Sequence, residues 1–192
     1  MIRPVVLFLA LSQSAAAVEL HIQFGALERM LTEQVFSQDG RRYVRGSKAD
    51  KCNFAYLEKP QVRAQGSLLL IKAHFTGRSA LNVAGQCVGL GDAFDVLITA
   101  LPVYKSGSLA LQEVIVRSRD KNGYYIRKVC QAMQSSLIRD FKYPLEISAQ
   151  SLLEAPAAQP GYTRAVRKFN VPEIRVTSDS LVLQVDFELT VK

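Results

Sequence analysis

Leu181-Val-Leu-Gln-Val-Asp-Phe-Glu-Leu-Thr-Val-Lys192 is the stretch that decides the fold class. Leu181, Leu183, Val185, Phe187, Leu189 and Val191 fall on one face of an extended chain. Val182, Gln184, Asp186, Glu188, Thr190 and Lys192 fall on the other, and all but one of these are polar. That alternation marks a strand with one buried and one solvated face, as antiparallel sheets provide. At about 3.3 Å per residue the stretch reaches roughly 40 Å, well beyond the usual strand of five or six residues.

The same period recurs upstream. Leu69, Ile71, Ala73 and Phe75 alternate with Leu70, Lys72, His74 and Thr76. Phe94, Val96, Ile98 and Ala100 form a second inward set, ended by Pro102. Across Lys105-Ser106-Gly107-Ser108, residues 109–119 are again strand-like and make a hairpin partner. Two segments have helical spacing instead. In 24–36 the apolar residues are Phe24, Leu27, Met30, Leu31 and Val35, with Asp39-Gly40 as the stop. From Tyr125 to Tyr143, after a short loop at Asn122-Gly123, they are Ile126, Val129, Cys130, Met133, Leu137 and Phe141, and Pro144 ends the helix. Residues 155–161, with two Pro and three Ala, read as a loop. The expected fold is α+β, a long, highly curved antiparallel sheet wrapped around a long α-helix, with a second helix beside it. A short sandwich of crossing strands is the competing architecture.

Composition sets the outer bounds. A chain of 192 residues, 48% hydrophobic and 21% charged, has the material for one packed domain and does not suit disorder. Two His and three Cys are too few for a multi-ligand zinc site or an iron–sulfur cluster. The N-terminus reads as an export signal: one positive charge at Arg3, an apolar run from Val5 to Leu11, then Ala15 and Ala17 at the −3 and −1 positions. Residues 1–17 are thus expected to be removed, leaving a single soluble domain, 18–192, in the periplasm. No Cys follows the cleavage position, and no other run has the roughly 18 apolar residues of a membrane span.

Export changes the meaning of the cysteines and of the +7 net charge. In an oxidising compartment Cys52 and Cys87 are the expected disulfide, since both sit in strand or turn context and Cys130 falls on an apolar helical stripe. Three cysteines allow three pairings, and spacing alone leaves all three open. Basic residues cluster at Arg41, Arg42, Arg45, Lys48 and Lys51, and again at Arg117, Arg119, Lys121, Arg127 and Lys128. A solvated basic surface explains them; attraction to an anionic membrane surface is the functional alternative, and nucleic acid is not expected outside the cytoplasm.

Catalytic signatures do not emerge. No Gly-x-Ser-x-Gly elbow, phosphate loop or His-Glu-x-x-His motif occurs. Gly89-Leu90-Gly91 lacks the third Gly and the following helix of a nucleotide fingerprint. His21 and His74 read as surface histidines. Asp92, Asp95 and Asp120 would make a metal site only if brought together, and turn chemistry accounts for them otherwise. No enzyme, metal or cofactor is expected.

The segment Phe94-Asp-Val-Leu-Ile-Thr-Ala-Leu-Pro-Val-Tyr104, the segment Gly107-Ser-Leu-Ala-Leu-Gln-Glu-Val-Ile-Val116 and the helix 129–143 resemble a bacterial periplasmic family. That family is known mainly as a domain of unknown function with many lipoprotein members. It is similar in turn to the tubular lipid-binding superfamily, which includes the bactericidal/permeability-increasing proteins. The resemblance implies a curved sheet around a long helix with an apolar groove for lipid chains. The chain departs from the lipoprotein members in lacking a Cys after the signal, so the resemblance does not carry membrane attachment across.

The functional expectation is a periplasmic binder of a lipid or other apolar ligand, with a non-catalytic envelope protein-interaction module as the alternative. Leu27, Met30, Leu31 and Val35 on the first helix would face Val129, Met133 and Leu137 on the second. Leu69, Ile71, Phe75, Phe94, Val96, Ile98, Leu183, Val185 and Phe187 would supply the floor. Met30 and Met133 could adapt to varied apolar ligands or simply fill core. Arg41, Arg42 and Arg127 are the candidates for an anionic headgroup.

Overall fold

The computed structural model describes residues 18–155 and 163–192. The expected signal segment and most of the 155–161 loop lie outside the described residues. In chain order the elements are β1 (Val18–Gln23), α1 (Phe24–Gln34), β2 (Arg41–Arg45), β3 (Asn53–Gln65), β4 (Leu68–Val83) and β5 (Gln86–Lys105). There follow β6 (Ser108–Ser118), α2 (Tyr124–Asp140), β7 (Lys142–Tyr143), α3 (Leu145–Leu153), β8 (Arg164–Val176) and β9 (Ser180–Val191). Strands β2 to β7 pair in sequence order into one antiparallel sheet, strongly curled into a half-barrel. A second sheet has the order β1-β9-β8. The fold is therefore α+β, as expected, with two sheets where one was anticipated.

The half-barrel follows from the β4–β5 alternation. Ile71 sits opposite Ile98, Ala73 opposite Val96, and Phe75 opposite Phe94, whose rings lie 4.7 Å apart. All six are buried in one cluster with Ile126, Cys130, Met133 and Leu137 of α2 and with Phe141 just past its end. Helix α2 thus occupies the hollow of the sheet. Bulges bend the strands around it. One lies between Glu58 and Gln61 of β3, where Lys59 takes a φ of +56°, and another between Gln112 and Ile115 of β6, opposite Thr99 and Leu101, where Glu113 takes a φ of +50°. The strand expected to end at Pro102 runs on to Lys105. Pairing with β4 stops at Ala100, so the prolyl nitrogen lies where only β6 remains as a neighbour.

The second helix is shorter than its apolar spacing suggested. It stops at Asp140, and Lys142 and Tyr143 pair with Ala110 and Leu109 as the edge strand β7. Helix α3 docks on the β5–β6 turn, where Glu146 N donates to Gly107 O at 2.9 Å. Gly107 has a φ of +75°, a backbone conformation that calls for glycine.

Strand β9 has the expected length but not the expected burial. Leu181, Leu183 and Val185 are buried with Leu109, Leu145 and Val171 in a second core. Phe187 is half-buried, while Leu189 and Val191 are 40% and 55% exposed. Strand β1 covers only residues 180–185 of β9, so the far end is a two-stranded ribbon with β8, beyond this core.

Candidate functional site

Helix α1 is held at its start and its middle. Phe24 N donates to Asp179 O at 2.9 Å, and Val62 N donates to Glu28 Oε1 at 2.7 Å. The second bond ties α1 to β3 just past the bulge. Held there, α1 stands across a cleft from the C-terminal end of α2. A cavity of about 140 Å³ lies between them, lined by Leu27, Met30 and Leu31 of α1, Val35 just past its end, Val44 of β2, and Leu137 and Phe141 at the end of α2. Arg42, Gln34, Ser136, Lys142 and Tyr143 supply its polar lining. An engineered cavity of about 150 Å³ with apolar walls binds benzene. The cleft is of that size.

The expected ligand residues therefore divide three ways. Leu27, Met30, Leu31, Val35 and Leu137 meet at the cleft. Phe75, Phe94, Val96 and Ile98 do not reach it, because α2 seals them into the half-barrel core. Met133 is part of that seal, with no accessible surface, and a larger side chain there would overpack the core. Val129 and Met133, with the edge of Phe75, border a separate open hollow of about 340 Å³, beside Val44 and Tyr125. Val185 and Phe187, with Leu183, belong to the second core, on the other sheet.

The cationic candidates divide as well. Arg42 lines the cleft. Arg41 is engaged elsewhere, with Nε 3.2 Å from Glu58 Oε2 and its guanidinium 4.4 Å over the Tyr56 ring. Arg127 lies by the N-terminal end of α2, in a hollow with Arg117, Arg119 and Lys121. Lys142 and Val44 were missed at the level of sequence. Val44 stands alone among basic and aromatic residues and shows no period, and Lys142 enters only because α2 ends early.

The aspartates are committed to ion pairs. Asp92 is bonded to Lys121, and Asp120 lies 3.9 Å from Arg119. Asp95 meets His74 Nδ1 and Lys72 Nζ, each at 3.0 Å. The His74 hydrogen bond, then Lys72, holds the Asp95 carboxyl below its usual range. Among the described residues, no group of three or more His, Cys, Asp or Glu side chains is arranged to hold a metal ion. Cys52 and Cys87 form a disulfide with Cα atoms 5.2 Å apart. The remaining thiol, Cys130, is buried, and desolvation pushes its pKa up, which keeps it a poor nucleophile. Among the described residues no helix is long and apolar enough to cross a membrane. The chain matches no family model, no curated protein and no solved structure.

Proposed function

We propose that this chain is a non-catalytic, periplasmic binder of apolar ligands that takes the end of an acyl chain, or a group of similar girth, between α1 and α2. The observation that carries the reading is the cleft itself. Five of its apolar lining residues were expected from helical spacing on two separate segments, and Arg42 and Lys142 offer a cationic side for an anionic headgroup. The curled sheet around α2 supports a tubular lipid-binding-like arrangement, and the Cys52–Cys87 disulfide is compatible with export.

Size limits the ligand. A benzene-sized space takes about six carbons, worth about 5 kcal/mol at 0.8 kcal/mol per methylene before the cost of association. The rest of a longer chain would lie along the protein surface, because the hollow under α2 is already filled. The test compares wild type with Met30→Trp, which fills the cleft from a half-buried position. Both are purified from the native envelope, and bound molecules are read by native mass spectrometry and lipid extraction. An apolar molecule on wild type and none on the variant, with unchanged circular dichroism, supports the proposal. Identical extracts from both, or none from either, overturn it. In the second case the filled core favours a protein-interaction module.

A further inference from the structure

The β4–β5 hairpin runs past the start of α2 as an arm, and its tip carries an apolar face that no other described residues cover. The register between β4 and β5 is unbroken from Leu69 opposite Ala100 to Val83 opposite Gln86. The face that buries Phe75 therefore continues through Ser79 to Leu81 and Val83, with Val88 opposite Leu81 and Leu90 opposite Ser79. Leu81 is 74% exposed and Leu90 84%, and Val83 and Val88 are also exposed. Single exposed leucines are ordinary; four large apolar side chains on one face of one hairpin mark an interaction surface.

The arm is braced rather than loose. On its opposite face Cys87 is bonded to Cys52, and Asn53 makes two hydrogen bonds to the Ala80 backbone, at 2.8 and 3.3 Å. Gly89 admits a close approach of the strands, since a Cβ there would lie 2.4 Å from Ser79 O. One face is thus locked to the body while the other stays bare.

Charge and aromatic placement identify the partner. Residues 79–91 contain no charged side chain, so the tip can leave water without stripping an ion. At its base Ser79 shares the 340 Å³ hollow with Tyr125, Arg45, Arg78 and Lys128, and among the described residues no carboxylate lines that hollow. The acid that follows the tip, Asp92, is held by Lys121. Tyr124 and Tyr125 are exposed at the start of α2, and Lys128 lies 5.7 Å over the Tyr124 ring. The apolar tip thus adjoins a base where exposed tyrosines and cations lie together. A bilayer presents the matching pair, acyl chains beneath an interface of anionic headgroups. We infer that the arm docks this protein on a membrane containing anionic lipid, inserting Leu81, Val83, Val88 and Leu90 among the acyl chains. This surface is separate from the α1–α2 cleft, and the inference stands or falls independently of what the cleft binds.

The test is co-sedimentation with vesicles of phosphatidylcholine alone or mixed with phosphatidylglycerol. Wild type should bind the mixed vesicles, and binding should weaken as salt rises. The Leu81→Ser/Leu90→Ser double variant should lose at least about tenfold in binding, and Lys128→Gln about fivefold. Both leucines are exposed, so the fold should not suffer. Since the chain has no Trp, Leu90→Trp provides a single reporter whose emission should shift to the blue on mixed vesicles. Equal binding by wild type and the double variant, or equal binding to both vesicle types, overturns the inference. So does absence of binding by wild type, which would leave another protein as the partner of the arm.

Discussion

The two halves of the β4–β5 hairpin share one register and one face, yet differ in fate. In the proximal half, Ile71, Ala73, Phe75, Phe94, Val96 and Ile98 are buried beneath α2. In the distal half, Leu81, Val83, Val88 and Leu90 point the same way and lie open. Local sequence is apolar on that face in both. The difference is what covers it: α2 begins at Tyr124 and runs back over the proximal half only. An apolar period reports that a face prefers to leave water. It does not report whether the chain itself supplies the cover.

The comparison can be broken most forcefully in the covered half. Phe75→Ala should cost about 3–5 kcal/mol in denaturant unfolding, since the ring has almost no exposed surface and packs on Phe94. A cost near zero would mean that the proximal core is as open as the arm. Next comes the brace. Cys52→Ser should remove about 3–4 kcal/mol, by loop entropy for a closure of 35 residues, and should speed amide exchange along 79–91. In wild type, denatured without reductant, one thiol per chain should label, and it should be Cys130.

Smaller effects sharpen the contrast between faces. On the convex side of the proximal half, Asp95→Asn should cost less than about 1 kcal/mol near neutral pH, because the Lys72 and His74 pairs are partly solvated. The folded Asp95 carboxyl titrates below its unfolded value. Its contribution is therefore whole above the ordinary carboxylate range and is lost as pH falls through the folded value, so wild type and variant should converge on acidification. A gap that widens in acid would contradict that assignment. Smallest of all, Leu81→Ser should change stability by no more than about 0.5 kcal/mol, in contrast to Phe75→Ala on the same face of the same strand.

Where the sequence was silent, identifiable physics had removed the signal. Strand β8 carries Arg164, Arg167, Lys168 and Pro172, and its register shifts between Val166 and Lys168 and again between Asn170 and Glu173. Each shift moves the following side chains to the other face, so no alternation survives. Helix α3 buries only Leu145 fully and exposes Ile147 and Leu152, so it has no apolar stripe to read. Strand β1 is six residues long and runs straight into α1, leaving no turn to mark it. The cleft was half legible. Leu27, Met30, Leu31 and Val35 share a helical face by spacing alone, while Val44 and Lys142 join them only by folding.

By itself, the sequence determined the α+β class, the helical stripes and the inward residues of β4 and β5; of the three possible cysteine pairings it left the choice to the fold. The class, the stripes and the inward sets depend on periods of two and 3.6, and a single segment carries each period whole. Only the tertiary structure decided that Met133 seals the half-barrel, that Leu189 and Val191 run past their core, and that the arm stays bare. Each of these is set by where a second element begins and ends. Burial belongs to the pair of surfaces that meet, and the residues of one strand encode only their own side of it.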